Sequence, residues 1–427
     1  MSRENTLVGL DLGTTTIRVV VASPTERTPS SLQILGLGEH SADGISKGVI
    51  TSIEDAISSI SGALEQAERM TGVPINNAYV GINGTHISSQ EVHGVVAVAK
   101  ADGEIKEDDV ERVIEAAQTT VSPSNAEILH VIPRAFTVDN QKGVKDPIGM
   151  SGIRLEVDAQ IIQGLQAQVK NLTKCIYRTG VEINDLVLGV LAASEAVLTK
   201  RQKEIGVGLV NIGASTTSLI VFEEGDVLHT AILPVGAGHI TNDIAIGLRT
   251  SIDVAEKVKL EYGTALPNEV GKRDEIDLAE IDPKESGVVS RKHVAEIIEA
   301  RVTEIFSMLD KELQKVDRSG LLPAGIAMIG GGAKLPGLID VAKREFRLPA
   351  SIGSPLNVIT AIDKVQEPEY ATAVGLAFWG LALQNSGAGP GSKFSTVNSV
   401  LGKIRGWVKK FSLLSFKHAQ IRYGNKT

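Results

Sequence analysis

The sequence predicts an α/β protein of two similar lobes around a cleft, with a smaller α+β block inserted into the first lobe. An apolar run, a turn of small polar residues and a second apolar run occupy residues 7–21, and the same pattern returns at 206–222. Two similar segments about 200 residues apart indicate an internal duplication. Between them, residues 83–163 switch to short alternating apolar and polar segments typical of strands. A third apolar run ends in consecutive glycines at 330–332.

Composition narrows the class of protein. A chain of 427 residues has room for two or three domains with ample cores. Its 42% hydrophobic residues exclude a largely disordered chain, and 43 glycines with only 4% aromatic residues suit an α/β protein rich in tight turns. The single cysteine, Cys175, excludes an internal disulfide and is predicted to be a small core residue. The eight histidines show no paired spacing of the kind found in zinc sites.

The first hairpin carries an acid at its mouth. Gly13 can take φ > 0 and lets the backbone approach a ligand, while Thr14 and Thr15 offer N–H and hydroxyl donors for phosphate oxygens. Asp11 does not favour phosphate by itself, so a bridging divalent cation is expected there. Taken alone, this segment is also compatible with an ordinary hairpin turn.

The remaining elements of the first half follow in order. Apolar residues at helical spacing predict a helix over 51–71, opened by Ser52 and Asp55 as a capping box, and a strand is expected over 78–82. The inserted block contains a predicted amphipathic helix near 108–118 and a connector at 139–152 that is expected to loop outward. Strand and helix pieces are predicted over 165–179 and 186–198.

The second half repeats the hairpin and adds a glycine turn. Charged amphipathic helices are predicted over 253–262 and 291–316, and the acidic stretch 263–287 between them is expected to be exposed. Three consecutive glycines at a strand end allow a flat ligand to lie against the backbone. The residues expected to matter are Asn211, Gly213, Ser215 and Thr216 in the hairpin, Glu256 and Lys259 in the first helix, and Gly330, Gly331 and Gly332 in the turn.

The end of the chain differs from the body. Residues after Glu369 carry a net charge of +8 and the preceding part carries −16, which indicates contact with an anionic partner. After a flexible linker at 384–396, apolar and basic residues recur at three- and four-residue steps over 397–416, as in a helix lying in a membrane interface. A helix docked on the body is the alternative, and nucleic-acid binding is disfavoured because the apolar face would stay exposed. The predicted membrane-binding residues are Val400, Leu401, Lys403, Ile404, Arg405, Trp407, Val408, Lys409, Lys410 and Phe411.

These segments stand in the order of the phosphate-1, phosphate-2 and adenosine motifs of the actin, sugar-kinase and Hsp70 ATPase superfamily. The chain resembles, over nearly its whole length, the FtsA family of bacterial cell-division proteins. The resemblance is carried by GLDLGT at 9–14, AEKVK at 255–259, GGGA at 330–333, EYATAVGL at 369–376, the compact insertion and the basic amphipathic end. It implies an actin-like ATPase fold that binds ATP and magnesium.

The resemblance also assigns roles to the candidate residues. Asp11 would act through the water shell of Mg, and the backbone of Gly13, Thr14 and Thr15 would hold the phosphates. Gly213, Ser215 and Thr216 would hold the phosphates from the other lobe. Glu256 and Lys259 would contact the adenosine, with Gly330, Gly331 and Gly332 beneath it. For Glu256 and Lys259 a surface ion pair three residues apart is the alternative.

One residue departs from the family pattern. The second hairpin of this family usually opens with Asp, whereas this chain has Asn211. An amide keeps the shape and accepts a hydrogen bond from metal-bound water, but it cannot take a proton. Glu195 does not stand at the position used by vigorous ATPases of the superfamily. The sequence therefore predicts at most a weak ATPase, with no catalytic residue assigned.

The resemblance further implies a peripheral protein on the cytoplasmic face of the cell membrane at midcell. It would self-associate into protofilaments through the inserted block, bind the C-terminal peptide of FtsZ and an anionic lipid membrane, and bind no nucleic acid. The first alternative is a PilM-like pilus-assembly adaptor, and a less favoured alternative is a small-molecule (sugar) kinase. The implied boundaries are 1–82, 164–204 and 356–383 for the first lobe, 83–163 for the insertion, 205–245 and 321–355 for the second lobe, 246–320 for its subdomain 2B that receives FtsZ, 384–396 for the linker, 397–416 for the membrane helix and 417–427 for the tail.

Overall fold

The computed structural model describes residues 6–25, 30–99, 103–120 and 125–385. The strands are β1 (Leu7–Leu12), β2 (Thr16–Pro24), β3 (Leu32–Ser41), β4 (Ile45–Ser46), β5 (Val49–Ile50), β6 (Asn77–Ile82), β7 (Ile87–Ala97), β8 (Ala126–Val138), β9 (Gln141–Val144), β10 (Arg154–Leu165), β11 (Glu182–Leu188), β12 (Val207–Ile212), β13 (Thr217–Glu223), β14 (Asp226–Leu233), β15 (Glu275–Asp277), β16 (Val288–Ser290), β17 (Ile326–Ile329), β18 (Ala350–Ile352) and β19 (Val358–Ile359). The helices are α1 (Ile53–Thr71), α2 (Glu107–Thr119), α3 (Gln166–Arg178), α4 (Gly189–Val197), α5 (Lys200–Ile205), α6 (Ala237–Leu248), α7 (Ile252–Tyr262), α8 (Leu278–Ile281), α9 (Arg291–Lys315), α10 (Leu338–Phe346) and α11 (Ala371–Asn385).

The first lobe is built on a six-stranded sheet in the order β11-β6-β1-β2-β3-β19. Its central strand β1 is buried along its whole length, and the neighbouring strands β2 and β6 are mostly buried apolar runs, as expected for a sheet covered by helices. Two glycines allow the helices to approach closely. A side chain on Gly38 would overlap the carbonyl of Ala63 in α1, and one on Gly9 would overlap the carbonyl of Ala373 in α11.

The second lobe repeats this plan in a five-stranded sheet, β14-β13-β12-β17-β18. The two hairpins share one register, because Asp11 pairs with Arg18 and Asn211 pairs with Ser218, seven residues on in each case. Each first strand then pairs in parallel with a strand on its other side, β1 with β6 and β12 with β17. The predicted duplication is confirmed.

The inserted α+β subdomain is also confirmed. It is a four-stranded antiparallel sheet, β7-β10-β8-β9, whose own apolar core packs against α2. The chain leaves the first lobe after Ile82 and returns at Leu165, where the Leu165 N–H donates to the carbonyl of His86 over 3.1 Å. The connector at 139–152 contains β9 instead of forming only an outward loop.

Two local expectations were wrong. Ser52 is the N-cap of α1, but its side chain accepts no capping hydrogen bond, so the capping box is not formed. The stretch 263–287 is only partly exposed: Thr264, Ala265, Val270, Ile276 and Leu278 are buried, because its short elements pack on the core beside α9. Acidic composition alone did not reveal these few anchoring residues.

Cys175 is fully buried in α3, as predicted. No helix in the described part of the chain is long and apolar enough to cross a membrane. The predicted membrane-binding segment 397–416 lies outside the described residues.

Candidate functional site

The two hairpin turns are fixed by backbone contacts. In the second lobe, Gly213 N–H donates to the carbonyl of Thr216 over 2.9 Å, which closes the turn. Helix α6 begins against it, since the N–H groups of Ala237 and Gly238 donate to the carbonyls of Gly213 and Ala214, each over 2.8 Å. A side chain on Gly236 would overlap the carbonyl of Gly213. Only a small-residue sequence allows this close approach of helix and turn.

The first-lobe turn is built similarly. A side chain on Gly13 would overlap the carbonyl of Thr16, and the N–H of Ala42 donates to the carbonyl of Thr15 over 3.0 Å. The turn at 13–15 therefore lies between its own hairpin and the end of β3. Its backbone is held in place while its residues remain partly exposed.

Asp11 is a buried carboxyl group at the end of β1, with 9% of its surface exposed. Burial raises the pKa of Asp11 to about 6, and the opposing charge of its cross-strand neighbour Arg18 only partly offsets this effect. A carboxylate that is poorly solvated in this way gains much from a nearby cation. This chemistry fits a divalent ion.

Asn211 connects three parts of the site. Its amide donates to the hydroxyl of Thr372 in the first turn of α11 over 3.4 Å. A side chain on Gly330 would overlap its Oδ1 atom, and Gly330 has φ of +86°. A side chain on Gly332 would overlap that of Ile212, whereas Gly331 faces open space. The glycine turn thus lies directly on the end of β12.

Glu256 and Lys259 form the ion pair that was the alternative interpretation, at 2.7 Å, but the pair is not a free surface feature. Lys259 also donates to the Thr241 hydroxyl over 2.8 Å, and that hydroxyl donates to Glu256. The Lys259 side chain is 10% exposed. Because Thr241 lies in α6, whose first turn contacts Gly213, the cluster is mechanically tied to the second hairpin turn.

The structure therefore brings Asn211 and the glycine turn together and links Glu256 and Lys259 to the turn through α6. Asp11 joins the same assembly through α11, because the carbonyl of Ala373 lies against Gly9 in β1. Sequence reasoning missed Gly236, Gly238, Thr241 and Thr372. The first two are closely spaced glycines in a segment for which no helix was predicted from the sequence. Thr372 belongs to the motif at 369–376, but no site role was predicted for it, and nothing in the sequence marked Thr241.

Two further observations concern chemistry. Glu195 pairs with Lys203 over 3.2 Å, so its carboxylate is held by a cation. Among the described residues, no group of three or more His, Cys, Asp or Glu side chains is arranged to hold a metal ion. A divalent ion near Asp11 would keep water and phosphate oxygens as its ligands, as Mg²⁺ commonly does, and Asp11 would accept hydrogen bonds from its water shell.

Comparison with known proteins gives matches along the whole chain. The family described as cell division protein FtsA matches residues 208–375, and the SHS2 domain inserted in FtsA matches residues 84–163. A relative named cell division protein FtsA from Pseudomonas aeruginosa is 37% identical over 409 residues, covering 94% of this chain and 97% of the relative. The protein of the same name from Escherichia coli is 32% identical over 414 residues, covering 95% of this chain and 97% of the relative.

Solved structures share the fold. The PilM-PilN type IV pilus biogenesis complex matches with a TM-score of 0.66 at 17% identity, covering 88% of this chain and 98% of that chain. MreB 5 of Spiroplasma citri bound to AMPPNP matches with a TM-score of 0.53 at 14% identity, covering 90% of this chain and 98% of that chain. These matches identify the fold as actin-like.

Proposed function

The chain belongs to the FtsA family of cell-division proteins, and from that premise we propose that it is an ATP-binding, actin-like adaptor that tethers the FtsZ ring to the membrane. The observation that carries the nucleotide part is the convergence of Asn211, Gly330 and Thr372 on one point beside α11. A strand end, a glycine turn and a helix start meet there, at the kind of strand edge where α/β proteins bind ligands.

The described residues fit ATP and magnesium. The phosphates would be held by the backbone of Gly13, Thr14 and Thr15 from one lobe and of Gly213, Ser215 and Thr216 from the other. Gly330, Gly331 and Gly332 would face the base and ribose, with Glu256 and Lys259 beside them. Bound magnesium would neutralise phosphate charge, and Asp11 would orient its water shell, since its buried carboxylate gains from a cation.

We propose that hydrolysis is slow or absent. A water attacking the terminal phosphate needs a group that takes its proton, and the Asn211 amide cannot do so. Glu195 already pairs with Lys203 and is therefore engaged elsewhere. A single-turnover assay with wild type and Asp11→Ala tests this. Rapid phosphate release by wild type would contradict the proposal, and loss of that release in Asp11→Ala would assign it to this site.

The partners are proposed from several surfaces. Region 246–320 would receive the FtsZ C-terminal peptide, and it exposes large apolar side chains at Ile246, Ile252 and Leu260. Exposed apolar side chains of this size can supply the apolar contacts of a peptide-binding surface. The inserted subdomain, with Ile153 exposed to 79%, would contact the next subunit of a protofilament. Filament formation in the presence of ATP, observed by electron microscopy, tests the last point.

Membrane tethering rests on the sequence of 397–416. Flotation with vesicles that contain anionic lipid should carry the full chain and leave behind a chain that ends at Ser386. A full-length Trp407→Glu variant is the matched control. It leaves segment 397–416 with a net positive charge while placing an acid at the centre of its apolar residues. Equal flotation of the full and shortened chains would remove the tether from the proposal.

An adaptor of the pilus-assembly type is the second candidate, because the fold is shared with the PilM-PilN complex. Such a protein would bind a partner peptide but would have no use for a basic amphipathic arm. The same flotation experiment separates the two, since the pilus-type adaptor predicts no effect of removing residues after Ser386.

A further inference from the structure

The segment EYATAVGL at 369–376 lies where the two lobes meet, and apart from Thr372 and Ala373 its residues have no role in the site described above. Just before it, the carbonyl of Pro368 accepts from the N–H of Gly330 over 3.0 Å. Within it, Thr372 accepts from Asn211, and Ala373 packs on Gly9. The segment therefore contacts both hairpins and the glycine turn.

Glu369 is the charged member of this segment, and it pairs with one cation from each lobe. Its Oε1 lies 3.6 Å from Nη2 of Arg18 in β2, and its Oε2 lies 3.3 Å from Nζ of Lys334. Lys334 ends the short 3₁₀ turn Gly331–Lys334, which begins within the glycine triplet. The Glu369 side chain is only 11% exposed, so this attraction is weakly screened by solvent.

Arg18 also interacts with Asp11, the residue proposed to bind the metal through water. It is the cross-strand neighbour of Asp11, and its charge lowers the pKa of Asp11 against the effect of burial. It also pairs with Glu39 over 3.0 Å. A divalent cation beside Asp11 would repel the Arg18 guanidinium and favour its contacts with Glu39 and Glu369.

We propose that Glu369 is a positioning residue that couples metal binding at Asp11 to the glycine turn of the second lobe, through Arg18 on one side and Lys334 on the other. The proposal rests on the nucleotide site proposed above. In this proposal the metal has two effects. It neutralises phosphate charge, and it strengthens the ionic link from Arg18 through Glu369 to Lys334, which holds the adenosine side of the cleft against the phosphate side.

The chain supplies a matched control two residues away. Glu367 also pairs with Lys334, over 2.7 Å, and its side chain is 38% exposed. Among the ion pairs of the described residues, Arg18 is joined to Glu39 and Glu369 but not to Glu367. Glu367→Gln therefore weakens the hold on Lys334 without breaking the path from Asp11.

The test measures ATP affinity by calorimetry, with magnesium and with EDTA, for full-length wild type, Glu369→Gln and Glu367→Gln. The quantity compared is the factor by which magnesium tightens ATP binding. We expect Glu369→Gln to reduce this factor by roughly fivefold or more, and Glu367→Gln to leave it close to that of wild type. A merely structural role would lower ATP affinity by the same factor in both conditions.

A second variant guards against misfolding of the first. Lys334→Met keeps the Glu369 to Arg18 contact but removes the second-lobe partner, so it should lose the same part of the magnesium effect. Equal magnesium factors in wild type and in either Glu369→Gln or Lys334→Met would overturn the coupling. Absence of ATP binding by wild type in both conditions would instead overturn the nucleotide site itself, and the coupling with it.

Discussion

The side-chain amide of Asn211 donates a hydrogen bond to the hydroxyl of Thr372 across 3.4 Å, which joins the second-lobe hairpin to the first turn of α11. Asn211 stands where the resemblance to the family predicts an Asp, and its amide still takes part in the junction of the lobes. Asn211 therefore holds the lobes together through its hydrogen bond and also lies where a proton acceptor is expected. Replacing it by Asp tests the effect of the acid with little change in side-chain shape.

Restoring the acid should raise ATP turnover. In Asn211→Asp, the Thr372 hydroxyl can donate to the new carboxylate, so the junction is retained while a proton acceptor is added. We expect any residual hydrolysis rate to rise by about tenfold to a hundredfold, measured as phosphate release in single turnover. Thr372→Val is the control, since it removes the hydrogen bond without adding an acid, and it should not accelerate hydrolysis. An unchanged rate in Asn211→Asp would show that the missing carboxylate is not what limits turnover.

Asp11→Asn should stabilise the nucleotide-free protein while abolishing the magnesium dependence of ATP binding. Because the folded-state pKa is raised from 3.8 to about 6, the stabilising contribution of Asp11 is complete below pH 3.8 and is lost as the pH rises through 6. At pH 8 the buried charge costs roughly 3 kcal/mol at most. Urea unfolding should therefore show a gain of about 1 to 3 kcal/mol for the variant at pH 8.

The same experiment at about pH 4.5 is its control. There the carboxyl group of folded wild type is largely protonated, so the gain from the amide should shrink. A variant that is less stable than wild type at pH 8 would contradict the burial argument.

The glycine turn allows a paired test. Gly330→Ala combines a backbone φ of +86° with overlap onto Asn211, whereas the new side chain of Gly331→Ala would meet no described residue within 4 Å. We expect Gly330→Ala to lose at least about 2 kcal/mol of unfolding free energy and most ATP affinity. Gly331→Ala should fold like wild type, so any loss of ATP affinity in it would report direct contact with the ligand. Equal stability of the two variants would argue against the close packing of the turn on β12.

His86 should make the joint of the inserted subdomain sensitive to acid. Burial lowers the pKa of His86 from its ordinary value of 6.5, and both ring nitrogens are buried with no hydrogen-bond partner among the residues that the structure describes. The unfolded chain therefore binds a proton that the folded chain excludes. The contribution of His86 to stability is complete above pH 6.5 and is lost as the pH falls from there toward the folded-state pKa.

Urea unfolding of wild type and His86→Leu between pH 7.5 and about 5 measures this effect. The free energy of unfolding of wild type should fall more steeply than that of the variant below pH 6.5. Parallel curves would indicate that the imidazole is solvated in the folded protein.

The large features of the fold were predictable because they repeat. The paired hairpins share residue type and spacing, and strand alternation with one amphipathic helix marked the inserted subdomain. Local polar contacts were less predictable. Ser52 has the residue type of a helix cap but makes no capping bond, since that bond depends on side-chain orientation instead of composition.

The candidate site divides in the same way. Asp11 and Asn211 lie near the ends of strands, and Gly13 and Gly330 lie in the turns that follow strands, at places that a sequence pattern marks. Thr241 enters only through the packing of α6, because a threonine in a helix is too common to be informative. Thr372 lies in a motif that the sequence marks, but its contact with Asn211 follows only from the packing of α11. The ion pair of Glu369 with Arg18 joins residues more than 300 positions apart, and the local pattern of neither segment predicts it.

The return of the inserted chain beside its exit has a consequence for how the protein folds. Strands β6 and β11 are neighbours in the first-lobe sheet although residues 83–181 separate them. The insertion has its own apolar core, and its ends are joined by the bond from Leu165 to His86. If the insertion forms first, it shortens the loop that must close before β6 and β11 can pair, and so reduces the entropy lost in that step. We therefore expect refolding of the first lobe to slow when substitutions in α2 destabilise the insertion, even though α2 contributes nothing to the first-lobe sheet.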